Sequence, residues 1–257
     1  MPEGDTVYAT AHRLTEALGG VTLTFADLRH PRLATVDLAG RVFDRAVSVG
    51  KHLFLRFSGD LSLHCHLGMD GSWRLFDRRP QLNHRVRAVL ATEERYAVGT
   101  SLLEMVLLPT PNEGKLVAHL GPDLLDPDWS DDALAEAVRR LTADPDRELG
   151  QALLDQRVMA GVGNVFKSEL CFLLGVSPWS PVSAVDGAKT VRLARKLLLH
   201  NALRPVRNTT GLQRRDLWVY GQHRGGCPRC RGRVLVEEQD TRLTYYCPRC
   251  QPRPTAS

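Results

Sequence analysis

The sequence predicts an α+β protein whose β-rich first half gives way to a helical second half, closed by a metal-clamped hairpin. Three observations carry this. Between residues 21 and 98, short segments of alternating apolar and polar residues are separated by turn signals. Beyond about residue 125 the apolar period becomes helical. Near the end, two Cys-x-x-Cys pairs stand sixteen residues apart.

A helix starts at once: Val7, Ala11, Leu14 and Leu18 recur with helical spacing, and Gly19-Gly20 ends the run. Residues 21–28, 41–49, 51–57, 61–67, 72–76, 85–90 and 95–98 read as strands, punctuated by Gly40, Gly50, Ser58-Gly59-Asp60, Gly71 and Arg79-Pro80. Within residues 51–57, Leu53, Leu55 and Phe57 share one face. Many short strands at this spacing specify a β-sandwich or barrel. Residues 102–108 fit a strand or a helix equally well. Leu120-Gly121-Pro122-Asp123 opens a boundary, after which residues 126–130 cap a helix carrying Leu134, Val138 and Leu141 on one face. Residues 147–154, 164–174 and 185–202 are also expected to be helical. The reading is an N-terminal domain over 1–124, a helical domain over 125–212, a zinc finger over 213–251 and a disordered tail over 252–257.

Apolar residues make up 43% and charged residues 25% of the 257, the balance of a globular protein. No apolar run approaches a membrane span, and the N-terminus lacks the basic-then-apolar pattern of an export signal. A cytosolic protein with no membrane partner is expected. The net charge of +5 is unevenly spread. Residues 187–257 hold fifteen Lys and Arg against four Asp and Glu, a net of +11, whereas residues 1–186 hold nineteen against twenty-five, a net of −6. A basic C-terminal quarter is the footprint of a polyanion such as nucleic acid. The acidic first part argues against a general excess of arginine.

Cys227-Pro228-Arg229-Cys230 and Cys247-Pro248-Arg249-Cys250 have the spacing of a four-cysteine zinc site. Four thiolates leave no position open, so the one Zn2+ ion is expected to be structural, with residues 233–236 and 243–246 as the hairpin between the knuckles. Cys65 and Cys171 lie outside the pattern. In a strand, His64 and His66 face one way and Cys65 the other, so the three do not converge; Cys171 lies in an apolar run and reads as core. Arg242, on the hairpin, is within reach of a phosphate or is simply solvated.

Residues 155–164, Asp-Gln-Arg-Val-Met-Ala-Gly-Val-Gly-Asn, separate two apolar helical runs. Gly161 and Gly163 permit tight turns, and Asn164 suits a helix cap. Backbone N–H groups at such a helix start suit an anion, and the spacing suggests a clamp on phosphates rather than base reading.

If Met1 is removed, Pro2 becomes a terminal secondary amine, and an α-amino group titrates near ~8, leaving a neutral nucleophilic fraction at neutral pH. Such an amine forms an iminium with an aldehydic or acetal carbon. Glu3 is placed for proton transfer, and the positive end of the first helix disfavours protonation of the amine. Taken alone, Pro2-Glu3-Gly4 reads equally as an ordinary helix start.

Together these stretches resemble the formamidopyrimidine-DNA glycosylase/endonuclease VIII family of base-excision repair enzymes. The resemblance runs through Pro2-Glu3-Gly4, Val49-Gly50-Lys51-His52-Leu53, His66-Leu67-Gly68-Met69-Asp70-Gly71-Ser72, Leu120-Gly121-Pro122-Asp123, a helix-two-turns-helix over residues 155–178, Trp218-Val219-Tyr220-Gly221 and the zinc finger. It implies a β-sandwich domain with an N-terminal helix, and a bifunctional glycosylase and β,δ-lyase acting on damaged DNA as a monomer. Pro2 would attack C1′ of the damaged nucleotide, Glu3 would move protons at the opening sugar, and Lys51 would contact phosphate and assist catalysis. Asn164 and Arg242 would bind the phosphates flanking the flipped nucleotide. Met69, before Asp70-Gly71, is the candidate wedge in the base stack.

Departures from the family pattern are informative. The usual proline and glutamate at positions 5 and 6 are Asp5 and Thr6 here. The Arg-Phe wedge of the 8-oxoguanine branch has no counterpart in residues 91–100, and His119 stands where the endonuclease VIII branch carries an arginine, a candidate DNA contact. These features favour that branch and oxidised pyrimidines. The alternatives are an 8-oxoguanine- or formamidopyrimidine-directed enzyme of the same family, and a non-catalytic DNA-binding zinc protein.

Overall fold

The computed structural model describes residues 2–254. The removal of Met1 and the last three residues of the expected tail therefore lie outside the described residues. The chain divides into two compact units, residues 1–119 and 120–257.

The first unit opens with helix α1 (Gly4–Leu18), whose Val7, Ala11, Leu14 and Leu18 are buried as their spacing requires. Nine strands follow: β1 (Val21–Thr22), β2 (Phe25–Leu28), β3 (Val42–Val49), β4 (His52–Phe57), β5 (Leu61–His66), β6 (Ser72–Phe76), β7 (Val86–Ala91), β8 (Tyr96–Thr100) and β9 (Glu104–Pro109). They form two antiparallel sheets, ordered β1-β3-β4-β5-β9 and β2-β7-β8-β6. The expected single strand over 21–28 is two strands, one in each sheet. Between them, Leu23 N–H bonds Arg41 O and Thr24 N–H bonds Ala91 O, so the chain crosses from one sheet to the other. The ambiguous stretch 102–108 resolves as β9, paired along its length with β5.

The core lies between the sheets. Leu53, Leu55 and Phe57 point into it together with Leu63, Cys65, Trp73, Leu90 and Ala97. Helix α1 packs on β3, β4 and β6, thus on both sheets. Thr15 Oγ1 accepts from Ala46 N–H at 2.9 Å, and Gly20 N–H bonds Phe43 O at 2.8 Å. The helix therefore runs antiparallel to β3.

The other face of the five-stranded sheet is mixed, with His52, Arg56, Ser62 and His64 beside Phe54 and Leu108. Helix α2 (Glu113–Val117) is held there by Glu113, which takes a bidentate bond from Arg56 and a 2.5 Å bond from Ser62 Oγ. Beside it, His52 and His64 come from adjacent strands, and His52 Nδ1 lies 2.9 Å from His64 Nε2. His64 Nδ1 is buried without a partner.

The second unit contains α3 (Asp131–Leu141), α4 (Leu149–Leu154), α5 (Asn164–Leu174) and α6 (Gly187–Asn201), then the hairpin β10 (Leu235–Gln239) and β11 (Arg242–Tyr246). Ser130 caps α3 through Ala133 N–H, and Asp186 caps α6 through Lys189 N–H. Residues 120–124, read from sequence with the first domain, hydrogen-bond within the second unit. Gly121 N–H bonds Gln156 O, Ala160 N–H bonds Pro122 O, and Leu124 N–H bonds Ala160 O. Within the expected tail, Arg253 lies 4.1 Å over the Trp179 ring and 2.5 Å from Glu237.

Burial first, and then the neighbouring imidazoles, lower His52 and His64 from 6.5 to about 4. In the unfolded chain both take up protons near pH 6.5, whereas in the fold they stay neutral to about pH 4. Stability from this pair is full above pH 6.5 and is lost as pH falls towards 4. Urea midpoints measured across this range should fall, and His64→Phe, which keeps the packing on Phe54, should flatten the profile; an equal slope in the variant would remove the pair from the explanation.

Candidate active site and metal centre

Glu3 is the N-cap residue of α1: its carbonyl accepts from Thr6 and Val7 N–H, and the residue is buried. Pro2 precedes it, half-buried, at the positive end of the helix. Asp5 is buried in the first turn and its Oδ1 accepts from Thr6 N–H at 2.8 Å.

Lys51 occupies the two-residue turn between β3 and β4, after Gly50 at φ +57°. Because α1 runs antiparallel to β3, the helix start and this turn lie towards the same end of the unit. From Thr15 back to Gly4 the helix climbs roughly 16 Å, and from Ala46 to Gly50 the strand advances roughly 13 Å. Next to Lys51, His66 accepts from Gly68 N–H on Nδ1, and burial and then the Lys51 charge lower its pKa. His119 is exposed, its ring 6.1 Å from that of His52. Met69 is exposed on the turn after β5.

In the second unit, Asn164 is not the cap that the sequence suggested. Gly163 is the N-cap of α5, and Asn164 is the first helical residue. Its Nδ2 donates to Leu243 O at 2.8 Å, and its Oδ1 is buried without a partner. Asn164 is thereby tied to the hairpin one residue from Arg242. The tip before Arg242 is a tight turn with Asp240 and Thr241 both at positive φ, a costly conformation for a β-branched threonine. Arg242 itself is exposed.

Two charged residues that matter here were missed in reading the sequence. Lys167 and Glu169 are fully buried in α5. Lys167 Nζ donates to Thr244 Oγ1 at 2.5 Å, fixing β11 on the helix. Glu169 accepts from the N–H groups of Trp218, Val219 and Tyr220 at 2.7 to 2.9 Å and from the Thr209 hydroxyl. The signal was available: two charges inside a short helix whose other residues, Asn164 and Ser168 apart, are apolar.

The four cysteine sulfurs lie within 4.8 Å of one another, with Cys227 to Cys250 at 3.7 Å and Cys230 to Cys247 at 3.5 Å. That is far too long for a disulfide and close to the ~3.8 Å edge of a tetrahedron with ~2.3 Å metal–sulfur bonds. Gly232 N–H reaches Cys230 Sγ at 3.4 Å. Gln251 closes the knuckle by accepting from Cys247 N–H and donating to Val176 O. Arg229 ties it to α5 by donating to Phe172 O at 2.8 Å.

Three family models match in order: the formamidopyrimidine-DNA glycosylase N-terminal domain over residues 1–100, its H2TH domain over 120–213, and the zinc finger found in FPG and IleRS over 227–253. The chain is 50% identical to a probable endonuclease 8 2 of Streptomyces coelicolor, across 99% of this chain and 95% of that protein. It is 49% identical to the DNA-(apurinic or apyrimidinic site) lyase Nei2 of Mycolicibacterium smegmatis, across 98% and 99%. Identity to the formamidopyrimidine-DNA glycosylase of that same organism is 29%, across 99% and 98%. Lactococcus lactis formamidopyrimidine-DNA glycosylase, solved with an abasic-site DNA, shares the fold at a TM-score of 0.82 and 19% identity, covering 98% of this chain and 100% of that one. The chain belongs to the formamidopyrimidine-DNA glycosylase/endonuclease VIII family.

Proposed function

We propose that this protein excises oxidised bases from DNA, pyrimidines foremost, and then cleaves the resulting abasic site through a Schiff base on Pro2. The observation that carries this is Pro2, terminal once Met1 is removed, beside the buried N-cap Glu3 of α1 and set towards the same end as the Gly50-Lys51 turn. The Pro2 nitrogen forms a bond to C1′ as the glycosidic bond breaks, and the base leaves with the electron pair and a proton. Glu3 delivers a proton to the ring oxygen as the sugar opens to the iminium. That cation draws electrons from C2′, whose proton is lost as the 3′ phosphate departs; a second elimination releases the 5′ phosphate.

Lys51 holds a phosphate during excision. Asn164 and Arg242 grip the phosphates on either side of the extruded nucleotide, and the backbone start of α5 favours the same anion. Met69 enters the gap left in the stack, and His119 contacts the strand. A single Zn2+ held by Cys227, Cys230, Cys247 and Cys250 fixes the hairpin that aims Arg242, with no part in the chemistry. Identity of 49% to one Mycolicibacterium smegmatis relative and 29% to the other supports the endonuclease VIII branch over the purine-directed one. The protein is read as a cytosolic monomer; among the described residues no helix is long and apolar enough to cross a membrane.

Borohydride should trap a covalent adduct between untagged protein and abasic or thymine-glycol DNA, with the cross-link on Pro2. Extra residues left ahead of Pro2 should abolish it; a trap that survives them, or maps to a lysine, refutes the mechanism and leaves a simple DNA binder. Lys51→Ala should slow base excision by about tenfold or more, the worth of a charged hydrogen bond, with a smaller effect on abasic nicking. Equal loss in both assays would deny Lys51 a special part. Cys247→Ala should lose the zinc, read by metal analysis, and weaken DNA binding about tenfold or more whatever the sequence. Retained zinc and unchanged binding would remove the finger from the mechanism.

A further inference from the structure

Strand β6 ends the four-stranded sheet and pairs only with β8, from Ser72↔Thr100 to Phe76↔Tyr96, without a bulge. In an antiparallel pair every second residue turns its N–H and C=O away from the partner strand. Among the described residues, no backbone or side-chain group outside β8 hydrogen-bonds the main chain of residues 73–76. Such an edge is a template for another strand, and a charge on it deters pairing. Arg74 on its own has that use. What turns this edge into a site is the helix beside it.

Helix α1 packs against β6, and Thr10, Arg13 and Leu14 line a groove of about 320 Å³ together with residues 73–76 of the strand. Trp73 and Leu75 turn to the core between the sheets, whereas Phe76 packs on the opposite face with Val86, Val89 and Val98. A groove touched by successive residues of both faces runs along the backbone edge. Extended peptides are bound at such edges by strand addition: the main chain supplies the hydrogen bonds, and alternate side chains supply the choice of sequence. Leu14 is buried and Leu75 partly so, which gives one of those side chains an apolar seat.

Charge selects the occupant. No carboxylate lines the groove, whereas two guanidinium groups do. Arg74 is exposed and makes no hydrogen bond or ion pair among the described residues. Arg13 is exposed and donates only to Ala9 O of its own helix, at 3.3 Å. A second copy of β6 does not fit, because antiparallel pairing of the two edges would set one Arg74 near the other. A nucleic-acid strand would meet the two cations but not a row of alternating main-chain donors and acceptors.

We infer that the groove between α1 and β6 binds an extended acidic segment of a partner protein, which adds to the sheet as a further strand. Its carboxylates meet Arg13 and Arg74, and an apolar side chain between them rests on Leu14 and Leu75. Thr10 lies roughly 9 Å along the helix from Gly4, so the bound segment leaves the chain start uncovered. The surface therefore recruits or tethers the protein without entering its chemistry.

Selection from a library of random short peptides should enrich sequences in which apolar residues alternate with Asp or Glu. The affinity of a labelled winner, read by fluorescence anisotropy, should fall about tenfold or more when Arg13→Glu is combined with Arg74→Glu, the worth of a charged hydrogen bond. Abasic nicking by that double variant should match the unaltered protein. N-methylation of alternate amides in the winner should abolish binding, and the bound peptide should slow hydrogen exchange at every second residue of β6. No enrichment, enrichment of basic sequences, full binding by the N-methylated peptide or to the double variant, or unchanged exchange along β6 would each overturn the site. Loss of nicking in the double variant would overturn its separation from the chemistry. Slowed exchange at β6 with an undamaged single-stranded oligonucleotide, and none with the peptides, would give the groove to nucleic acid instead.

Discussion

On the proposed mechanism Pro2 is a nucleophile held from one side only, and the fold of the first unit answers that constraint. Nothing precedes Pro2 to fix it once Met1 is gone, so its position depends on Glu3 and on the helix that begins at Gly4. That helix cannot slide: four apolar residues lie in the core, and Thr15 clasps Ala46 of β3. Burial of Glu3 at the cap removes the freedom that a terminus ordinarily has. The same antiparallel packing carries Lys51 to the end where the amine lies, because a short strand segment and three turns of helix cover similar lengths.

In the second unit the organising element is α5, and its buried charges explain its reach. An isolated charge in such a place costs several kcal/mol, so each must be met by groups held in fixed positions. Glu169 gathers three consecutive backbone N–H groups and a hydroxyl, which sets the path of residues 218–220. Lys167 reaches Thr244, and Asn164, one turn earlier, reaches the carbonyl of Leu243. Arg242 is thus aimed by contacts on its C-terminal side, by a strained turn on the other, and by the cysteine cluster beyond. The hairpin is too short to be stable by itself; helix, turn and metal site each supply part of its order.

Elements with a strong period were legible in the sequence. The start of α5 at Asn164, the burial of Leu53, Leu55 and Phe57, and the gathering of the four cysteines all follow from spacing. What escaped was set by partners distant in the chain. The break at Leu23 and Thr24 depends on Arg41 and Ala91, and nothing within residues 21–28 announces it. Asn164 has the composition of a cap, but Gly163 takes that place and the amide turns to a carbonyl 79 residues away. His64 was rightly separated from Cys65, yet its bond to His52 arises from strand pairing across twelve residues. Gln251, the last residue of the expected finger, is fully buried because the knuckle folds over it.

Charge also acquires a finer pattern once the units are known. The acidic balance of the first 186 residues resides almost wholly in residues 120–186, with twelve Asp and Glu against five Lys and Arg; residues 1–119 carry thirteen against fourteen. Several of those acids have structural duties. Asp131 and Asp132 lie in the first turn of α3, where the helix dipole favours them, and Glu136 pairs with Arg139 and Arg140. Asp155 takes bonds from both Arg147 and Arg157, which hold its carboxyl well below the usual range. The first unit is therefore nearly neutral and cannot draw a polyanion by net charge. On the proposed reading its contribution is local, through Lys51, while the basic stretch from residue 187 supplies the long-range attraction. Attraction to phosphate is weakened by salt, whereas apolar insertion is not. On that reading the hold on the phosphate backbone is salt-sensitive, whereas entry of Met69 into the stack is not.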